Sequence, residues 1–425
     1  MTNHRQMNEK IEWFLKECED QVQPAFTRIE RIAKLNQRKV LQAFWKFRVS
    51  NMDLQGSTGY GLDDGGRDKL EEVYADVFGA ESALVRPQII SGTHALKLGL
   101  FGVLRPGDHI SFATGSPYDT LEAVVGIRPA PGSLAEWGIS YNIVPLKSDG
   151  SIDIEKVMSA WQPNTRVVMF QRSRGYSNRP ALTIASLQEA FSVVRSRHPQ
   201  AIIAVDNCYG EFVEEAEPTS IGADLVMGSL IKNPGGGIAS TGGYIAGNRR
   251  LIEQVAAQLT APGVGAEAGP THDFLRPFYQ GLFLAPHTVS QAVKGSVLAA
   301  CAFERLGLDV APRWEDERSD LVLSIGFHQP DPLLSFCQAV QASAPIDSYV
   351  VPTAAPMAGY EDAVVMAAGA FVQGGSLELS ADAPMRAPYV GYFQGGLTYE
   401  HVYIALENII SRLLENGLEI KELHQ

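Results

Sequence analysis

Gly228-Ser229-Leu230-Ile231-Lys232-Asn233-Pro234-Gly235-Gly236-Gly237 sets a lysine just past an apolar run, Leu225-Val226-Met227, and just before a proline and three glycines. An apolar run ending in Gly-Ser reads as a buried strand entering a tight loop. A lysine held there is partly desolvated, which is expected to lower its pKa and free the amine as a nucleophile. A solvated loop lysine beside a flexible turn is the plain alternative. Upstream, Ala201-Ile202-Ile203-Ala204-Val205 reads as a fully buried strand of the parallel type, and it ends on Asp206-Asn207-Cys208-Tyr209-Gly210. A carboxylate at the carboxyl end of such a strand lies where open α/β sheets form their ligand crevice. The interval from Asp206 to Lys232 leaves room for one short crossover and another strand, so both residues can reach one crevice.

An acid and an amine in one crevice match what pyridoxal 5'-phosphate (PLP) requires. The lysine attaches the cofactor as a Schiff base, and the carboxylate keeps the pyridine nitrogen protonated so that the ring accepts electrons. Without a cofactor, Asp206 would serve as a loop cap or an ion-pair partner. A third stretch, Ser91-Gly92-Thr93-His94-Ala95, follows Ala83-Leu84-Val85 and opens a mostly apolar helix running to Leu104. Hydroxyls and free N–H groups at a helix start form a phosphate cup, though an ordinary N-cap looks the same. Ser229, three residues before Lys232, offers another phosphate hydroxyl.

The order of cup, acid and Ser-x-x-Lys resembles the fold-type I PLP-dependent enzymes. Gly59-Tyr60-Gly61-Leu62-Asp63-Asp64-Gly65-Gly66-Arg67-Asp68, Ser116-Pro117-Tyr118-Asp119-Thr120-Leu121 and Asp382-Ala383-Pro384-Met385-Arg386 bring the resemblance closer. Together they resemble the bacterial family called methionine gamma-lyase-like or aluminium resistance protein, related to the cystathionine lyases, from about residue 10 to the C-terminus. The combination is specific for the family and less so for the reaction.

The resemblance implies a fold-type I PLP-dependent transferase fold: an α/β large domain with a mostly parallel sheet, and a smaller α+β C-terminal domain. It also implies a homodimer or homotetramer with sites at the subunit interface. Tyr60, with Arg67 a further candidate, would then serve the neighbouring subunit's cofactor phosphate. Tyr118 would stack on the cofactor ring, and its hydroxyl could donate a proton to a leaving thiolate. Arg386, between two prolines, would grip the substrate carboxylate. Arg172, Arg174 and Arg179 crowd the end of the strand Val167–Phe170 and could bind carboxylate or phosphate bidentately, Arg174 being the choice. His94 reads as a helix-start residue lining the site rather than a base.

The chain has 425 residues, 45% hydrophobic and 20% charged, ample for one large core and a smaller domain. A net charge of −13 argues against non-specific nucleic-acid binding and suits a cytoplasmic enzyme. Cys18, Cys208, Cys301 and Cys337 are too far apart for a zinc motif or a disulfide framework, and reduced thiols fit best. No metal is indicated, and neither a signal peptide nor a membrane span is seen.

In order, residues 1–50 read as an N-terminal helical arm, 51–300 as the large PLP-binding domain and 301–425 as the small domain. Residues 51–66 read as loop. Strands are expected at His109–Ala113, Arg166–Gln171, Ala201–Asp206, Asp224–Ser229 and Tyr244–Ala246, and helices at Asp68–Phe78 and Ile184–Arg197. In the small domain, strands are expected around Tyr349–Val351, Ala363–Val365 and Leu377–Leu379, after a helix Val289–Leu306 and before one at His401–Leu414.

The expected activity is therefore a PLP-dependent carbon-sulfur lyase acting on a sulfur-containing L-amino acid, giving thiol, ammonia and a 2-oxo acid. Another PLP reaction (β-elimination on cysteine or cystathionine, aldol cleavage, transamination) is one alternative. A non-catalytic α/β binding protein is the other. The absence of G-x-G-x-x-G and G-x-x-x-x-G-K-[ST] speaks against dinucleotide or P-loop binding.

Overall fold

The computed structural model of the chain describes residues 2–177, 179–357, 360 and 362–417. It divides into two compact units, Leu35–Ala285 and Met1–Lys34 together with the chain from Pro286 onward. The division falls inside two long helices, α1 (Thr2–Lys46, which carries Pro24) and, further on, Leu275–Arg305.

In the contiguous unit, α2 (Gly65–Phe78) leads into β1 (Ser82–Arg86), then α3 (Gly92–Val103), β2 (His109–Phe112), α4 (Asp119–Val125), β3 (Ser140–Ile143), α5 (Ile154–Ser159), β4 (Thr165–Gln171) and α6 (Ile184–Arg197). β5 (Ile202–Asp206), β6 (Leu225–Ser229), β7 (Gly243–Gly247) and α7 (Arg249–Leu259) follow, before α8 (Leu275–Arg305). The seven strands form one sheet in the order β1-β7-β6-β5-β4-β2-β3. β2 to β6 run parallel, and β7 is antiparallel to both its neighbours. β5 and β6 are buried along their whole length, as their unbroken apolar runs require. Apolar side chains of α3, α7 and the strand face beneath them form one continuous core.

The expected large-domain strands are all present within a residue or two, and Ile184–Arg197 is helical as expected. β3 was missed: Ser-Tyr-Asn-Ile lies at the sheet edge, exposed to half-buried, and lacks the apolar run of a central strand. α2 starts at Gly65 rather than Asp68, because the Asp64 carboxylate accepts from the Arg67 N–H and caps the helix there.

The second unit contains β8 (Asp309–Ala311), β9 (Leu323–Gly326), α9 (Pro330–Ala342), β10 (Val364–Ala367), β11 (Ser380–Pro384), β12 (Val390–Gln394) and α10 (Tyr399–Glu415). Its five-stranded sheet, ordered β10-β11-β12-β9-β8, is antiparallel throughout. The first turns of the chain complete its core: Ile11, Phe14, Leu15 and Cys18, one helical face, are buried with α9, α10 and the end of α8. Two strand expectations fail here. Tyr349–Val351 forms no strand: a turn bond from the Val350 N–H to the Asp347 carbonyl takes up the chain there, and its side chains lie exposed. Leu377–Leu379 is a turn that precedes β11, its leucines buried by the fold-back rather than by pairing. No described helix is long and apolar enough to cross a membrane, and no cluster among the described residues has the make-up of a metal site.

Candidate active site

Parallel pairing sets the ends of β4, β5 and β6 side by side, with Gln171 opposite Asp206 and Asp206 opposite Met227. Asp206 is the last residue of β5 and is 7% exposed. Its Oδ1 accepts the backbone N–H of Cys208 at 3.1 Å. Burial pushes its carboxyl up, against the pull of Lys232, Cys208 and Arg179.

Lys232 stands three residues past β6, half-buried, at the start of a short turn over Asn233–Gly235. Its Nζ lies 4.0 Å from the centre of the Tyr209 ring. Burial works to lower the lysine's pKa, but the acidic groups around it (Cys208, Tyr209, Asp206 and Glu211) overcome burial, and the net shift is upward. The net direction is opposite to the expected depression. The turn after it admits only glycine at Gly236. Its φ is +58°, and a Cβ there would meet the Gly281 carbonyl oxygen at 2.3 Å.

The residues expected to form a phosphate cup lie at the start of α3 and the end of β6. Ser91 caps α3, its hydroxyl accepting from the His94 N–H at 3.0 Å. Thr93 Oγ1 lies 2.7 Å from Thr120 Oγ1. A Cβ on Gly92 would come within 3.1 Å of Cys208 Sγ and 3.5 Å of Ser229 Cβ, so the helix start is pressed against the ends of β5 and β6. Ser229 is 1% exposed, yet its hydroxyl has no hydrogen-bond partner. A buried orphan hydroxyl beside a helix N-terminus, a lysine amine and a buried carboxylate is the donor set that PLP needs, so these residues fit the cofactor.

Beneath the crevice lies a buried polar layer that sequence reading did not find. Asn207 Nδ2 donates to Glu217 Oε2 at 2.9 Å, and its Oδ1 accepts from Arg172 at 2.9 Å. Arg172, fully buried, also pairs with Glu214 at 2.7 Å. Tyr244 donates to Glu211 Oε1 at 2.8 Å, while Glu211 Oε2 has no partner. Burial pushes Glu211 up to about 8. From α1, Asn36 Nδ2 holds the Phe212 and Glu214 carbonyls, both at 3.0 Å. Tyr209 and Phe212 have φ of 72° and 62°, so this loop is kept in a left-handed path by its partners. The Asp-Asn-Cys-Tyr-Gly sequence carried a signal for it: polar residues directly after a buried strand.

The remaining candidates divide. Tyr118 sits at the start of α4 with its ring 5.7 Å from that of Tyr176 and against the backbone of Gly175. Arg172 belongs to the buried layer. Arg174 is 2% exposed, and Arg179 donates to the Gln171 and Ser173 carbonyls while its charge reaches Asp206. Tyr60 is 82% exposed. Arg67 is corrected as a candidate for a neighbouring phosphate: it is buried in its own chain, held by Asp68 at 2.8 Å and by the Gly61, Gly269 and Glu267 carbonyls. Arg386 lies in the other unit, between β11 and β12, paired with Asp362 at 2.8 Å.

A family model for methionine gamma-lyase matches residues 11–414. The Bacillus subtilis protein named "Uncharacterized protein YnbB" is 51% identical over 404 residues, 95% of this chain and 96% of its own. A crystal structure from Listeria innocua, named provisionally as a cystathionine beta-lyase involved in aluminum resistance, is 51% identical with a TM-score of 0.93, covering 95% of this chain and 99% of that one. A carbon-sulfur lyase involved in aluminum resistance from Clostridium novyi is 45% identical with a TM-score of 0.92, over 96% and 97% of the two chains. The fold alone is shared with a pyridoxal-5'-phosphate dependent protein of Escherichia coli, 18% identical with a TM-score of 0.59 over 90% and 96%. The α/β architecture is that of the fold-type I PLP-dependent enzymes.

Proposed function

Because the chain belongs to the methionine gamma-lyase family, a PLP-dependent family of carbon-sulfur lyase type, we propose that it eliminates a thiol from a sulfur-containing L-amino acid. The observation that carries this reading is the convergence of Lys232, Asp206, Gly92 and the orphan Ser229 hydroxyl at neighbouring strand ends.

Bound PLP supplies an electron sink for charge developing at the substrate Cα. Ser229, Ser91, Thr93 and the first N–H groups of α3 hold its phosphate. Asp206 would keep a proton on the ring nitrogen, and Tyr118 would pack against the ring. Lys232 would attach the cofactor, and its amine would take the Cα proton. Arg386 and Arg174 are each candidates for binding the substrate carboxylate. For γ-elimination the Lys232 amine would in turn also carry a Cβ proton, and Tyr118 would give a proton to the thiolate leaving Cγ. Methionine and water then give methanethiol, ammonia and 2-oxobutanoate.

A second reading, β-elimination on cystathionine or cysteine, is favoured by the name given to the Listeria innocua protein. It uses the same groups without the Cβ proton transfer and yields pyruvate. In the assembly we propose, a dimer or a pair of dimers in the cytoplasm, the exposed Tyr60 serves the neighbouring subunit's phosphate.

The test is to load the protein with PLP, supply methionine, cystathionine and cysteine separately, and identify the oxo acid. 2-Oxobutanoate from methionine supports the first reading, and pyruvate from cystathionine or cysteine the second. Cofactor bound through Lys232 with neither product from any of the three would refute the lyase assignment. Lys232→Ala is expected to abolish both turnover and the visible absorption of the bound cofactor.

A further inference from the structure

Tyr209 stands in a turn that leaves the end of β5, closed by the Gly210 N–H on the Asn207 carbonyl at 2.9 Å. Its φ of 72° is a backbone position that such turns give to glycine or asparagine, so a tyrosine is kept there against its backbone preference. The turn is packed on the buried layer: a Cβ on Gly210 would stand 2.5 Å from Arg172 Cδ, and the Asn207 N–H donates to the Met227 carbonyl of β6 at 3.0 Å. The ring it presents lies against the lysine head, with Lys232 Nζ 4.0 Å from the ring centre, the distance of an ammonium resting on an aromatic face. Asn233, fully buried, ties the two segments together. Its Nδ2 donates to the Glu211 carbonyl at 2.9 Å, so the turn that starts after Lys232 is fastened to the chain just past Tyr209.

We propose that Tyr209 is a positioning residue for Lys232: its ring face seats the lysine head whenever the amine is not bonded to the cofactor, and keeps it at the ends of β5 and β6. This role rests on the PLP reading above; the contact itself does not. A lysine head is strongly hydrated and carried on a flexible stem, so an amine released from the cofactor swings away unless something holds it within reach of the substrate Cα. An aromatic face attracts an ammonium and not a neutral amine, so the seat also favours the protonated head. Besides Tyr209, the titratable groups facing this amine are Cys208, Asp206 and Glu211, and all three are unchanged in the variants below.

The experiment titrates the Lys232 amine in the cofactor-free full-length chain, following the pH dependence of its acetylation by acetic anhydride and locating the label by peptide mass. It compares the wild type with Tyr209→Phe, which keeps the ring face, and Tyr209→Leu, which removes it; both meet the same left-handed backbone. Tyr209→Leu is expected to lower the midpoint by about one pH unit, a tenfold loss in the proton affinity of the amine. Tyr209→Phe keeps the wild-type midpoint. If Tyr209→Leu does not fold, Tyr209→Met takes its place. In the loaded enzyme, Tyr209→Leu is expected to lower kcat about tenfold at unchanged KM, with whichever of methionine, cystathionine and cysteine the wild type turns over. Equal midpoints in Tyr209→Phe and Tyr209→Leu would overturn the inference, because a ring that only fills space, or acts through its hydroxyl, does not separate them. A lowered midpoint with unchanged kcat would overturn the part of the seat in turnover. A wild type that binds no PLP defeats the cofactor reading, a distinct result, and the midpoints then decide the contact alone.

Discussion

Glu211→Gln tests how the buried layer responds to pH. Glu211 is fully buried, with Tyr244 donating to Oε1 and nothing reaching Oε2, and its carboxyl is pushed up to about 8 from an ordinary value near 4.5. Between those two values the folded chain holds a proton that the unfolded chain has released. Proton binding by the folded state then exceeds that by the unfolded state, so stability falls as pH rises through the window and levels off above about 8. Each pH unit inside the window is worth about 1.4 kcal/mol, so this one group removes roughly 2–3 kcal/mol between pH 5 and pH 7. Asp206, Glu71 and Glu214 are also raised and act in the same direction, so only the difference from a variant isolates Glu211. Glutamine keeps the shape and an acceptor for Tyr244 but does not titrate. Urea unfolding of wild type and Glu211→Gln from pH 5 to pH 9 is expected to show the variant gaining steadily on the wild type up to about pH 8. Parallel curves across that range would mean that Glu211 is ionised in the folded protein, and the account of the layer would fail.

Three further outcomes are expected. Gly92→Ala should weaken PLP binding at least tenfold with little change in melting temperature, since its Cβ would crowd Cys208 Sγ and Ser229 at the cup; unaltered affinity by equilibrium titration would contradict the cup assignment. Arg172→Met should destabilise by about 3–5 kcal/mol, because it leaves Glu214 and Glu217 without their buried cation, and denaturant melts that match the wild type would count against the network. Tyr60→Ala should lose activity without losing stability, and refolding it together with inactive Lys232→Ala should restore part of the activity through mixed subunits; no recovery would argue that Tyr60 does not act across an interface.

The legible part of the fold was the part that hydrophobic runs dictate. β5 and β6 announce themselves as unbroken apolar stretches, and their terminal polar residues Asp206 and Ser229 stand out for that reason. β3, half-wet at the edge, had no such run, and the β-branched Val350-Val351 had a strand's composition but is held in a turn by the Asp347 carbonyl. In the site, residue types were readable but their charge states were not. The direction of the Lys232 shift depends on acids gathered from Cys208 to Glu211, and Glu211 in isolation looks like a surface glutamate. Arg67 and Arg172 likewise read as candidates for ligand binding, yet folding turns both inward onto carbonyls and carboxylates.

The unit that closes around the chain's two ends has a consequence for how the protein is made. Leu35–Ala285 is contiguous and can complete its core as it leaves the ribosome, whereas the strip formed by Ile11, Phe14, Leu15 and Val22 finds its partners only in residues beyond Val297. At about 5–20 residues per second, that strip is exposed for roughly ten seconds to a minute of synthesis. A nascent chain that stalls before Val297 carries this apolar face of α1 without the partners that bury it in the finished fold, so slower synthesis across Leu35–Ala285 lengthens the time it needs a holding chaperone.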